Sequence, residues 1–263
     1  MSRLLAPCLA LGLALLSACA GPSAGTRDWV TESDESPARK RARLRLELAS
    51  AYYQQGQDAV ALDEVKQALA ADAAYAPAWN LRGLVYLRLA QWPLAEESFV
   101  RALALAPGDA DAAHNLGWLL CQHPQAERRL QAPTYFRRAL AQPGYAQPGR
   151  SWRAMAVCAL EAGRLDEAES SLQHAARADP ASPQLPWLAA QLATARGRWP
   201  EAWRELQALH ARQAPTAESL WLAVRAARKL DNPQQAAELA VQLRQAFGAS
   251  RQVQALDKGW FDE

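Results

Sequence analysis

The fold of this chain is indicated most clearly by residues 76–109, which read APAWNLRGLVYLRLAQWPLAEESFVRALALAPGD. Within this stretch the apolar residues recur at helical spacing on both sides of a central turn. The positions that characterise it are Trp79, Gly83, Tyr86, Ala95, Phe99, Ala102 and Pro107, at positions 4, 8, 11, 20, 24, 27 and 32 of the unit. Many of these positions recur in neighbouring stretches of the same length, which predicts a repeated helix-turn-helix module.

The pattern resembles the tetratricopeptide repeat (TPR). The resemblance implies an all-α fold, a right-handed superhelical solenoid of six repeats with about twelve antiparallel helices. The predicted units are 42–75, 76–109, 110–148, 149–182, 183–216 and 217–250, and the third carries an insertion within 122–131. Residues 251–263 are expected to form a C-terminal capping helix or tail. Its Trp260 and Phe261 either cover the last apolar face or form a docking motif.

The first residues have a different character. Arg3 is followed by an apolar stretch from Leu4 to Leu16, which is too short to span a membrane, and the stretch closes with Ser17-Ala18-Cys19. This resembles a bacterial lipoprotein signal, so residues 1–18 are predicted to be cleaved and Cys19 to carry a diacylglycerol lipid. An ordinary signal peptide that happens to contain a cysteine is the alternative. Residues 19–41, rich in Gly, Ser, Pro and charge, are expected to form the lipidated N-terminus and a flexible tether.

Composition argues against several classes of function. The formal net charge is +2, and the single basic run, Arg39 to Arg43, is interpreted as a solvated lead-in to the first helix, so no nucleic-acid partner is expected. The four histidines lack metal-ligand spacing, and no phosphate-binding loop or nucleophile elbow is present. We therefore expect no enzyme activity, no metal, no small-molecule substrate and no cofactor beyond the lipid on Cys19.

Two cysteines remain in the predicted solenoid. Cys121 and Cys158 fall on the first helices of the third and fourth repeats, which are expected to pack side by side. In an exported protein such a pair is a candidate disulfide, because an oxidising compartment preserves the bond. Two buried apolar thiols are the other interpretation.

A protein-binding groove is predicted on the concave face, lined by positions 2, 5, 9, 12 and 13 of the first helices. In the first three repeats this rule selects Leu46, Ser50, Tyr53, Asn80, Leu84, Leu87, Arg88, His114 and Trp118. The set is mixed and largely apolar, which suits an amphipathic helix or an extended peptide. Some of these side chains are expected to pack between repeats instead.

Four further stretches narrow the resemblance. They are Asn115-Leu116-Gly117 leading to Cys121; 145–151 followed by Cys158-Ala159-Leu160; 217–222; and Gln242-Leu243 through Ser250. Together with the predicted lipobox they resemble the type IV pilus biogenesis and stability lipoproteins (PilF/PilW pilotins).

The resemblance implies a monomeric, periplasm-facing lipoprotein of the outer membrane. Such a protein binds the type IV pilus secretin and promotes its localisation and multimerisation. Ala20, the residue after Cys19, is consistent with the outer-membrane location. The resemblance also implies a disulfide between Cys121 and Cys158. The alternative function is a TPR lipoprotein scaffold for outer-membrane protein assembly or for cell-wall hydrolases.

Overall fold

The computed structural model describes residues 35–261. The predicted signal peptide, Cys19 and most of the predicted tether lie outside the described residues, as do the last two residues of the chain. Within 35–261 every regular element is a helix. The helices are α1 (Pro37–Gln54), α2 (Asp58–Ala71), α3 (Ala76–Arg88), α4 (Trp92–Leu105), α5 (Ala110–Cys121), α6 (Ala126–Arg129), α7 (Ala132–Leu140), α8 (Pro148–Glu161), α9 (Leu165–Ala178), α10 (Leu185–Ala195), α11 (Trp199–His210), α12 (Ala217–Lys229), α13 (Pro233–Phe247) and α14 (Arg251–Lys258).

The helices pack as consecutive pairs, and successive pairs stack on one another. The pairs are α1 with α2, α3 with α4, α5 with α7, α8 with α9, α10 with α11, and α12 with α13. Short turns make the partners of each pair antiparallel. This is the architecture of a tetratricopeptide-repeat superhelix, and it confirms the predicted fold class.

The turn inside a repeat depends on one residue with a left-handed backbone. Position 15 has positive φ in five repeats, and it is glycine in three of them, at 56, 163 and 197. Ala90 (φ 55°) and Asp231 (φ 54°) hold the same conformation with a side chain. The turn therefore imposes its geometry on these residues against their intrinsic preference.

Packing within a repeat joins positions 8 and 24, and the sizes of the two residues are complementary. Phenylalanine at position 24 is matched by glycine at position 8, as in Gly83 with Phe99 and Gly117 with Phe136. Smaller residues at position 24 are matched by larger ones at position 8. These pairs are Ala49 with Val65, Ala156 with Leu172, Ala190 with Leu206, and Val224 with Ala240. The summed volume of the two side chains at positions 8 and 24 therefore stays roughly constant from repeat to repeat, although the residues differ.

The first helix begins earlier than expected. Residues 37–41 were assigned to the tether, but α1 starts at Pro37, with Ser36 as the N-cap that accepts a hydrogen bond from the backbone N–H of Arg39. Arg39 also forms an ion pair with Asp72, and its guanidinium lies 4.9 Å from the centre of the Tyr75 ring. The basic run is therefore part of a helix that is held against the end of the first repeat.

The insertion in the third repeat contains the short helix α6. Arg128 forms an ion pair with Glu96 of the preceding repeat, and Arg129 Nη1 donates to the backbone oxygens of His123 (2.8 Å) and Pro124 (3.0 Å). The insertion thus lengthens the turn between α5 and α7 without separating the two helices.

The last apolar face is covered by α14. Its Val253 and Leu256 are buried in a cluster with residues of α11, α12 and α13. The expectation for the two aromatic residues that follow is half right. Phe261 stacks on Trp221 with ring centres 5.4 Å apart, whereas Trp260 is 46% exposed. Trp260 directly follows Gly259, whose backbone is left-handed (φ 73°).

Candidate protein-binding groove

First helices of successive repeats line the concave side, where two cavities adjoin. The middle groove, of about 700 Å³, is bounded by α5, α8 and α10, and the C-terminal groove, of about 650 Å³, by α10, α12 and α14. Trp187 and Gln191 line both, so the two form one continuous surface. Other lining residues of the middle groove are Trp118, Arg150, Arg153, Val157, Glu161 and Gln184. The C-terminal groove adds Thr194, Glu218, Trp221, Arg225, Arg251 and Trp260.

Comparison with known proteins gives this architecture a family context. Tetratricopeptide repeat models match residues 76–109 and 159–226. The solved structure of PilW, described as a widely conserved type IV pilus biogenesis factor, is 28% identical, with a TM-score of 0.76 over 82% of this chain and 97% of that one. The chain folds as a tetratricopeptide-repeat solenoid and is similar to PilW.

Two further matches are consistent with this. PilF of Pseudomonas aeruginosa superposes on 85% of the TPR protein and 100% of its own chain, with a TM-score of 0.75 and 20% identity, which shows a shared fold. An uncharacterized protein of Haemophilus influenzae is 26% identical over 159 residues, which are 60% of this chain and 82% of that protein.

The nine predicted groove residues of the TPR protein take different places. Leu46, Leu84 and Leu87 are half-buried and pack against the apolar clusters between repeats. The Ser50 hydroxyl donates to the backbone oxygen of Leu46 at 2.8 Å. Two of the nine line the middle groove. Trp118 is a half-buried part of its wall, and His114 contributes only a small edge of its ring.

Tyr53 and Arg88 form a separate cluster between the first two repeats. The Arg88 guanidinium lies 3.6 Å from the centre of the Tyr53 ring, and its Nη2 donates to the backbone oxygen of Tyr53 at 2.7 Å. Arg88 Nε also donates to Asp58 Oδ1 at 2.7 Å. These contacts engage Nε and Nη2 of Arg88, so the cluster joins repeats as well as facing solvent.

Asn80 belongs to a polar ladder that runs along the concave side. Asn115 Nδ2 donates to Asn80 Oδ1 at 3.0 Å, and Arg150 Nη2 donates to Asn115 Oδ1 at 2.9 Å. The three residues come from three successive repeats. Because the amide of Asn115 is buried, both of its polar atoms need partners, and the ladder supplies them.

His114 lines the middle groove with only a small edge of its ring. It is 3% exposed, and its Nδ1 is hydrogen-bonded to Ser151 Oγ at 2.8 Å, while Ser151 is in turn bonded to the Tyr145 hydroxyl at 3.0 Å. Burial, assisted by the positive charges of Arg150 and Arg153, lowers the pKa of His114 to about 3. Burial also raises the pKa of Tyr145. The imidazole is therefore a neutral part of the join between α5 and α8.

Cys121 and Cys158 form a disulfide that connects the same two helices, with Cα atoms 5.7 Å apart. Both residues are buried. The bond and the His114 network together fix α5 against α8, which are two walls of the middle groove.

The predicted groove covered only the first three repeats and so missed the groove residues of the C-terminal half, although the same repeat positions select them. The rule used for the first three repeats, applied to positions 2, 5, 9, 12 and 13 of the next three, selects most of the lining. Of the fifteen residues that it selects, twelve line the two cavities: Arg150, Arg153, Val157, Glu161, Gln184, Trp187, Gln191, Thr194, Ala195, Glu218, Trp221 and Arg225. Contributions from α14, such as Arg251, lie beyond the last repeat and had no such signal.

Within residues 35–261, no helix is long and apolar enough to cross a membrane. In the same range, no group of three or more His, Cys, Asp or Glu side chains is arranged to hold a metal ion.

Proposed function

We propose that this protein is a TPR factor of type IV pilus biogenesis. The observation that carries the proposal is the likeness to PilW, which extends over nearly all of that chain at 28% identity. TPR solenoids bind protein segments on their concave surface, and this chain has an open, aromatic-lined surface there.

The finer proposal follows from the sequence. Cys19 carries a lipid that anchors the protein to the outer membrane, facing the periplasm, and the TPR groove binds the pilus secretin. The protein acts as a pilotin, because anchored copies concentrate secretin subunits at the membrane and so favour their multimerisation. Residues 19 to 36 supply the reach between lipid and solenoid.

The test uses the full-length lipidated protein, affinity-purified from detergent-solubilised envelopes. Wild type is compared with Trp118→Ala and Val157→Asp in the middle groove. Val100→Ala, an exposed apolar position on the second helix α4, is the matched control. We expect the secretin to co-purify with wild type and control and to be depleted from both groove variants, with circular dichroism melts showing that all forms are folded.

A second arm tests the anchor. Cys19→Ala is expected to move the protein to the soluble periplasmic fraction and to reduce secretin multimers in the outer membrane. Co-purification of an outer-membrane insertion factor or a cell-wall hydrolase in place of the secretin would favour the scaffold alternative. A groove variant that retains the secretin as well as wild type does would contradict binding in the middle groove.

A further inference from the structure

The C-terminal groove has a polar chemistry of its own. Its walls are Trp187 of α10, Trp221 of α12 and Trp260 after α14. Two arginines, Arg225 and Arg251, lie among these indole rings. Aromatic walls with guanidinium groups between them are typical of surfaces that bind protein segments.

These two arginines differ from those of the middle groove. Arg150 is paired with Asp111 and Asn115, and Arg153 Nη1 lies 2.7 Å from Asp179 Oδ2. By contrast, neither Arg225 nor Arg251 has an ion pair or hydrogen bond with any residue of 35–261, and Nε of Arg225 is buried without a partner there. A buried donor without an acceptor carries a desolvation cost that a bound acceptor would remove.

The carboxylate that lines this groove is already engaged. Glu218 Oε1 accepts a hydrogen bond from Gln252 Nε2 at 3.2 Å. The groove therefore presents two unpaired cations against one hydrogen-bonded carboxylate. The ligand charge that complements it is negative.

Two neutral polar groups indicate the conformation of the ligand. Thr194 Oγ1 is buried without a partner among the described residues, and the Gln191 side chain, one turn earlier on α10, has no hydrogen bond in the same range. An extended peptide exposes backbone N–H and C=O groups that can pair with such side chains, whereas a helix uses its own internally. The groove also continues past Trp187 into the middle groove, so a segment can pass through.

We propose that the C-terminal groove binds an extended, internal protein segment in which acidic side chains alternate with large apolar ones. The carboxylates pair with Arg225 and Arg251, and the apolar side chains pack on Trp187, Trp221 and Trp260. This inference rests on the proposed function only in taking the protein to bind a protein partner. It adds the site and the chemistry of the bound segment.

The test is fluorescence anisotropy with full-length protein in detergent and a labelled, end-capped peptide of about eight residues, which spans roughly 26 Å when extended. The peptide alternates Asp with Leu and Phe, and a second version replaces every Asp with Asn. We expect Arg225→Gln with Arg251→Gln to weaken binding of the Asp peptide by about tenfold or more and to leave the Asn peptide unchanged. Arg204→Gln, an exposed arginine on α11, is the matched control and should bind as wild type does.

Equal binding of the Asp and Asn peptides, no binding of the Asp peptide to wild type, or an equal loss in Arg204→Gln would each overturn the inference. Preferential binding of a helix-stabilised peptide of the same composition would overturn it as well. Secretin capture is measured in parallel. If capture persists while wild type fails to bind the Asp peptide, this inference fails alone. If wild type captures no secretin but binds the Asp peptide through both arginines, the proposed function fails and this inference stands.

Discussion

Gly83 lies under the ring of Phe99, and this contact sets how closely α3 and α4 approach. A Cβ added at Gly83 would be 2.5 Å from Phe99 Cε1, and Phe99 is fully buried. At Gly117 the corresponding distance to the Phe136 ring is 3.0 Å. The second repeat is therefore the tighter of the two.

We predict that Gly83→Ala lowers the free energy of unfolding by about 1–3 kcal/mol, because the ring must shift within a filled core. Adding Phe99→Leu should recover part of this loss, since the fifth repeat pairs Ala190 with Leu206 at the same two positions. Urea denaturation of the two single variants and the double variant measures the coupling. Strictly additive losses would show that the two side chains do not compete for the same space.

Ala90 holds a left-handed backbone in the turn between α3 and α4. An L-residue with a Cβ is disfavoured there by roughly 1 kcal/mol, whereas glycine is not. We predict that Ala90→Gly stabilises the protein by up to about 1 kcal/mol, although glycine usually destabilises. Ala106→Gly, at the end of α4 where φ is −134°, is the control and should destabilise. Thermal melts of the two variants check the opposite signs, and a lower melting temperature for Ala90→Gly would contradict the strain.

The buried imidazole of His114 should make stability depend on pH. Its pKa is about 3 in the folded protein and 6.5 as an ordinary histidine, so between these values the unfolded chain binds the additional proton. Stability contributed by the neutral ring is therefore present above about pH 6.5. It is lost as the pH falls, at up to about 1.4 kcal/mol per pH unit.

His114→Gln keeps a hydrogen-bonding side chain beside Ser151 but cannot titrate. We expect this variant to be less stable at pH 7 and to lose less stability than wild type between pH 6.5 and 4.5. The measurement is the urea midpoint at each pH, taken as the difference between the two proteins so that the carboxylates cancel. If the stabilities of wild type and variant fell in parallel with pH, protonation of His114 would not lower the free energy of unfolding.

At the scale of elements, the join between α5 and α8 is crossed by a disulfide and by the hydrogen bond between His114 and Ser151. The Cys121–Cys158 disulfide closes a loop with a sequence separation of 37 residues. In the chain-entropy model a loop of this length contributes at most about 4 kcal/mol, because the unfolded chain loses freedom. We predict that reduction lowers the melting temperature of wild type. The melting temperature of the double variant Cys121→Ser, Cys158→Ser should match that of reduced wild type and should not change with dithiothreitol. If oxidised wild type melts no higher than this variant, the disulfide does not stabilise the fold.

The helices themselves were largely predictable because their boundaries depend on local chemistry. Pro93, Pro200 and Pro233 occupy first turns in the structure, where the missing backbone N–H of proline would have no intrahelical partner. The start of α1 is an exception, because the boundary between tether and first repeat was predicted from composition alone. In the structure the helix begins after the Ser36 cap, and its first turn is held by the contact of Arg39 with Asp72. The contact between Arg39 and Asp72 joins residues 33 positions apart in the sequence.

The site was less predictable for the same reason. Repeat position alone selects the side of the helix on which a residue lies, and Trp118, which it selects, lines the middle groove. It does not reveal that His114 is hydrogen-bonded to Ser151 of the next repeat. Nor does it reveal that Ser151 is bonded to Tyr145, which precedes α8. Nor does it distinguish Arg153, which is paired, from Arg225, which has no ion pair within residues 35–261.

At the scale of the whole molecule, a solenoid is stabilised by contacts between neighbours, so damage at one end should remain local. We predict that Val253→Asp with Leu256→Asp, which breaks the α14 cap, speeds amide hydrogen exchange in α12 and α13 while leaving α3 and α4 unchanged. Gln254→Asp, on the exposed side of α14, is the matched control. Uniformly faster exchange along the chain would show instead that the repeats unfold as one unit.

The disulfide also has a mechanical consequence. When the two ends of the chain are pulled apart, tension passes directly from α5 to α8 through the sulfur atoms and bypasses α6, α7 and most of α8. The shielded length is about 12–13 nm of extended chain. The insertion and α7, the second helix of the irregular third repeat, thus lie in a part of the chain that a load drawn along the backbone does not reach while the disulfide is intact.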